Sequence, residues 1–108
     1  MEQAALRGKT LQFTFEDGPM AHKTFEHRIG KDGSVSFRSG GSDAPFSSAT
    51  KADVSAIGKD VYAVSYLSSS GYTLTAVLDY RTGQLTAFSS NEKDLNVQHG
   101  TFKTGSSG

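Results

Sequence analysis

No cysteine occurs in the chain. That excludes a disulfide framework, a thiolate nucleophile and a thiolate metal site, and it points to a cytoplasmic home, where cysteine chemistry is not needed for stability. Tryptophan is also absent and proline occurs twice. No apolar run approaches the roughly 18 residues that a membrane-spanning helix needs, so no membrane partner is expected. The opening residues, MEQAALRGK, lack the apolar stretch and small-residue cleavage site of a secretory signal. An excess of charge of either sign is missing too. Eleven basic side chains balance eleven acidic ones, which leaves no net field to draw in a phosphate backbone, and nucleic acid is not an expected partner.

What the chain has instead is glycine, serine and threonine between short apolar runs. An apolar fraction of 35% with 12 glycines in 108 residues fits one all-β domain of short strands and many turns. The organising stretch is Val61 to Ser90. Three runs of β-branched, aromatic and small apolar residues are separated there by two glycine-bearing turns, the pattern of a three-stranded antiparallel meander. Arg81-Thr82-Gly83 reads as a type I turn with glycine in the left-handed position, and Asp79 reads as support for that turn.

Alternation marks the other strands. Leu11, Phe13 and Phe15 share a face of Lys9–Phe15, and Phe25, His27 and Ile29 share a face of 23–29. Asp32-Gly33 makes a tight turn into 34–38, where Val35 and Phe37 face the core. The serine- and glycine-rich stretch 39–48 reads as a loop capping the barrel mouth, anchored by Phe46. Strands at 50–57 and 96–103 complete the set. Glu2–Leu6 reads as one helical turn that plugs an end, and 104–108 as a flexible tail beyond a domain of residues 1–103.

These are eight strands joined by short turns, with no connection long enough for a parallel crossover. Eight antiparallel strands in up-and-down order close a barrel able to hold one small ligand. A two-layer sandwich is the competing arrangement.

Leu6-Arg7-Gly8-Lys9-Thr10-Leu11, the strand YAVSYL from Tyr62, TLTAVLD from Thr73 with Gly83, and the closing Gly100-Thr101-Phe102 together resemble the MoaF-like group of lipocalin-like proteins. That group is named for a protein encoded with molybdenum-cofactor genes in some bacteria. The resemblance runs from Gly8 to Phe102 and implies an eight-stranded calycin-type barrel with an interior cavity for a small organic molecule. It carries no catalytic signature that can be transferred to these residues.

His22, His27 and His99 stand at none of the spacings of a metal site, so no metal and no cofactor is expected. Tyr62 and Tyr66 project from one face of their strand, and inward they would offer flat rings and phenolic hydrogens to a ligand. Glu26 and Arg28 lie on the solvated side. The candidate pocket is therefore Phe25, His27, Phe37, Tyr62, Tyr66 and His99, holding a small hydrophobic or planar molecule. Two other readings stand beside it. One is a metal-independent isomerase, cyclase or decarboxylase using a cavity histidine or tyrosine as acid or base. The other is an interaction module whose outer face meets another chain, a homodimer included.

Overall fold

A computed structural model describes residues 6, 8–39, 45–68 and 70–106. The described residues are all β. Strands β1 (Lys9–Phe15), β2 (Thr24–Ile29), β3 (Val35–Ser39), β4 (Ser47–Ser48), β5 (Lys51–Gly58), β6 (Val61–Leu67), β7 (Thr73–Asp79), β8 (Gln84–Ser90) and β9 (Leu95–Ser106) form one sheet. Its order is β4-β3-β2-β1-β9-β8-β7-β6-β5, and every pairing is antiparallel.

Two expectations need correction. There are nine strands rather than eight, because Ser47–Ser48 pairs with β3 inside what reads as a loop. The sheet is also not closed, since β4 and β5 are its two edges. The physical cause is the shortness of β4: after two residues the chain turns away, with Ala49 N donating to Val35 O and Thr50 N to Leu67 O. The sheet nevertheless curls. β2 and β6 are separated by four strands in the order, yet His27 and Tyr66 meet in a hydrogen bond.

Turn chemistry sets the registers. Gly33 has φ 87°, the left-handed value a side chain would resist, and its N–H donates to Gly30 O while Gly30 N donates to Ser34 O. At the β7–β8 corner Gly83 has φ 76°. There the Asp79 carboxylate accepts from the Arg81 backbone N–H at 2.9 Å and from its guanidinium at 3.0 Å. The guanidinium contact, followed by backbone donors, holds the Asp79 carboxyl below the usual carboxylate range.

Three peripheral expectations meet the structure differently. Glu2 to Ala5 lie outside the described residues; Leu6 is a buried turn residue, 1% exposed. β9 runs through Ser106 and pairs with β1 as far as Lys9, so strand pairing extends past Lys103. Residues 40–44 of the capping loop lie outside the described residues, and Phe46 does not anchor a cap over the mouth. Its ring lies under two guanidiniums of β2 and β3, those of Arg28 at 4.1 Å and Arg38 at 4.3 Å, on the outward side of those strands, where cation–π attraction outweighs insertion.

The inward faces pack one core, and its two ends differ. Leu11, Ile29, Val35, Leu78 and Leu85 are at most 1% exposed and make one end solid, each contributing about 1.5–3 kcal/mol by burial. The other end carries the β1–β2, β6–β7 and β8–β9 connections and is hollow.

Close approach of β9 to β1 is what makes Gly100 necessary. A Cβ there would collide with the Thr14 carbonyl oxygen and sit 2.9 Å from Phe15 Cα, both backbone atoms that cannot swing aside. Gly100→Ala is expected to lower unfolding stability in urea by about 2–4 kcal/mol. Gly58→Ala, whose added methyl meets nothing nearer than Val61 Cβ at 3.9 Å, shifts it by less than about 1 kcal/mol.

Candidate functional site

The hollow end holds a cavity of about 370 Å³, toward the small end of the range for ligand sites. Its wall is apolar and largely aromatic: Phe15, Phe25, Phe37, Tyr66, Tyr72 and Leu74. Serine and amide side chains lie among them, from Ser68, Ser89, Asn96 and Gln98, and Pro19 and Met20 of the β1–β2 connection complete the lining. Each strand delivers its residue by alternation. Tyr66 is register partner to Leu74, Leu74 to Ser89 and Ser89 to Asn96, a row that crosses four strands on the inner face.

The β1–β2 connection is fixed in place by Gln98. This buried side chain, 2% exposed, accepts the Met20 backbone N–H through Oε1 at 3.1 Å. It also fills the space beside Gly18, where a Cβ would come within 2.6 Å of Gln98 Cγ. The glycine and the glutamine are therefore complementary in shape.

A group of rings is built around His27. Phe13 stacks on its imidazole with centroids 4.2 Å apart and planes 26° apart. Phe37 lies 6.2 Å away on the imidazole and stacks in turn on Tyr66 at 4.9 Å and 23°. His27 Nε2 and the Tyr66 hydroxyl share a buried hydrogen bond of 2.9 Å. His27 Nδ1 is buried with no hydrogen-bond partner. Burial pushes the imidazole down to about 3, because a charged ring would sit among hydrocarbon faces. It raises the Tyr66 phenol above its ordinary value for the same reason. Both groups are neutral across the physiological range, and among the described residues no carboxylate, ammonium or guanidinium lines the cavity.

Of the residues expected from sequence, Phe25, His27, Phe37 and Tyr66 converge on this cavity. Tyr62 points inward and is 8% exposed, but at the solid end. There it meets Tyr80 edge-on at 5.6 Å, and Tyr80 meets Phe102 at 4.9 Å. Four residues of strand rise separate Tyr62 from Tyr66, and one cavity does not reach both.

His99 is a correction: it lies on the outer face. Gln98, Gly100 and Phe102 take the inner face of β9, because Gly100 must meet the β1 backbone and parity then turns His99 out. His99 donates its backbone N–H to Asp17 Oδ1 at 2.7 Å and pairs through Nδ1 with Asp17 Oδ2 at 2.9 Å. Those contacts, the backbone one first, hold the Asp17 carboxyl below its ordinary value. The glycine inside an alternating strand was the available signal for this parity. Tyr72, Ser89 and Asn96 carried none, since each sits at a strand end or in a turn.

Among the described residues, no three His, Cys, Asp or Glu side chains gather as a metal site would require. No helix there is long and apolar enough to cross a membrane.

The fold is that of an antiparallel, curled β-sheet around a one-ended cavity. No family model and no curated protein matches the chain. Among solved structures it is similar to a Burkholderia vietnamiensis protein described as a "putative beta-lactamase", with a TM-score of 0.74 at 15% identity over 93% of this chain and 95% of that one. At that identity the likeness is one of fold.

The depressed His27 value makes a pH prediction. A buried imidazole that titrates near 3 binds a proton less readily than in the unfolded chain, where it titrates near 6.5. The folded state is therefore at no disadvantage above about pH 6.5, and loses stability as pH falls from there toward 3. At pH 4.5 the loss from this one group is about 2–3 kcal/mol. Urea unfolding of wild type and His27→Gln at pH 7.5 and 4.5 reads it: the variant should lack that share of the acid loss.

Proposed function

We propose that the protein binds a small, uncharged, planar organic molecule in the cavity at the hollow end of its sheet. The observation that carries this reading is the cavity of about 370 Å³ with an aromatic wall and, among the described residues, no carboxylate, ammonium or guanidinium in its lining. An ionic guest would lose its hydration there with nothing of opposite sign to meet it. A flat apolar one gains ring contacts with Phe37, Phe25 and Tyr72.

The acid–base reading is less well supported. A general base works best with a pKa near the working pH, and His27 lies well below it. Beta-lactamase activity, named for the structural neighbour, needs in its serine-dependent form a hydroxyl poised on a base. The Ser68 hydroxyl instead contacts the Ser70 hydroxyl at 2.7 Å and the Tyr72 carbonyl at 3.0 Å. His27 is occupied by Tyr66. Membership in the lipocalin-like, MoaF-like group and a cytoplasmic setting belong to this proposal. They rest on the sequence resemblance and on the absence of cysteine.

The neutral fluorophore N-phenyl-1-naphthylamine tests the site. Its emission is expected to rise on addition of wild-type protein, with a Kd on the order of 0.1 mM or tighter. Leu74→Trp, which fills the cavity from β7, should remove the rise. Unchanged emission with the wild type, or an equal rise with Leu74→Trp at full folding by circular dichroism, would reject the reading.

A further inference from the structure

We infer that the Tyr66 hydroxyl points its hydrogen into the cavity and that the guest answers it with a carbonyl oxygen, so that the site takes neutral planar ketones, amides or related carbonyl compounds. This rests on the cavity being the binding site, and it concerns which chemistry that site selects.

The two ring nitrogens of His27 stand in different surroundings. A neutral imidazole carries one N–H and one lone pair. Nε2 meets the Tyr66 hydroxyl at 2.9 Å, while Nδ1 is sealed from solvent without a partner. If the hydrogen were on Nδ1, a buried donor would be stranded where no water reaches it, forfeiting its full desolvation cost. With the hydrogen on Nε2, the stranded group is a lone pair, and Nε2–H donates to the Tyr66 oxygen. The Tyr66 hydrogen is then left over.

That hydrogen has somewhere to go. Tyr66 lines the cavity, so water or a guest can accept from it, and the arrangement puts the one unsatisfied donor where a partner can arrive. Donation from Nε2 into the phenol oxygen also polarises its O–H, since hydrogen bonds in series strengthen one another. The result is a donor set deep in an apolar wall, backed by a neutral imidazole clamped between Phe13 and Phe37. Such a donor discriminates. A carbonyl satisfies it, whereas a hydrocarbon of the same shape leaves it unpaired.

Two measurements decide the matter. Nitrogen-15 correlation spectra of wild-type protein at pH 7.5 should place the His27 hydrogen on Nε2, with Nδ1 in the unprotonated range; a hydrogen on Nδ1 overturns the inference without any variant. The second compares a ketone fluorophore, 6-propionyl-2-dimethylaminonaphthalene, with N-phenyl-1-naphthylamine, which has no carbonyl. Tyr66→Phe should weaken the ketone about tenfold and the amine by less than about twofold. Equal effects on both probes overturn the carbonyl assignment and leave the cavity reading standing. Failure of N-phenyl-1-naphthylamine to bind the wild type removes the cavity reading, and this inference with it; failure of the ketone alone overturns the carbonyl assignment only.

Discussion

The hydrogen bond between His27 and Tyr66 ties together β2 and β6, which four strands separate in the order of the sheet. The ladder runs from β4 round to β5 without a closing pair, and at the seam the main chain joins the two flanks only through Ala49 and Thr50, which donate to Val35 O and Leu67 O. Phe37 stacked on Tyr66, and His27 bonded to it, add a second restraint through side chains. In the low dielectric of the interior one such bond counts for more than in water. Burial, rather than the bond itself, keeps both partners uncharged.

That neutrality has a geometric counterpart. Phe13, His27, Phe37 and Tyr66 form a run of rings whose neighbouring planes are within 28° where they stack. The run continues from the core into the cavity wall. One set of contacts therefore serves packing on one side and walls the cavity on the other. The outer face shows a different chemistry. There Arg38 contacts Glu26 at 2.7 Å, Phe46 lies beneath guanidiniums, and His99 meets Asp17.

Most strand positions were legible from alternation, because burial of one face forces a period of two on the sequence. The same signal correctly turned Leu11, Phe13, His27 and Val35 inward. It failed where a rule other than apolar patterning governed. At β9 the polar Gln98 is buried to hold Met20, and Gly100 is selected by backbone proximity; neither looks apolar, so His99 was placed on the wrong side. Tyr62 and Tyr66 share a face, but position along the axis is set by how strands stagger, which a single strand does not encode. The open seam was equally hidden, since Ser47–Ser48 has the composition of a turn and its pairing depends on β3.

The unequal filling of the two ends carries a consequence for how such a chain can diversify. Residues that secure folding, such as Leu78, Leu85 and Val35, are remote from the cavity, while Tyr72, Ser89 and Asn96 lie at or next to strand termini in its lining. Exchanges among the latter alter the shape and polarity of the receptacle with little penalty to the scaffold. A family of descendants could thus acquire different tastes from a single inherited frame.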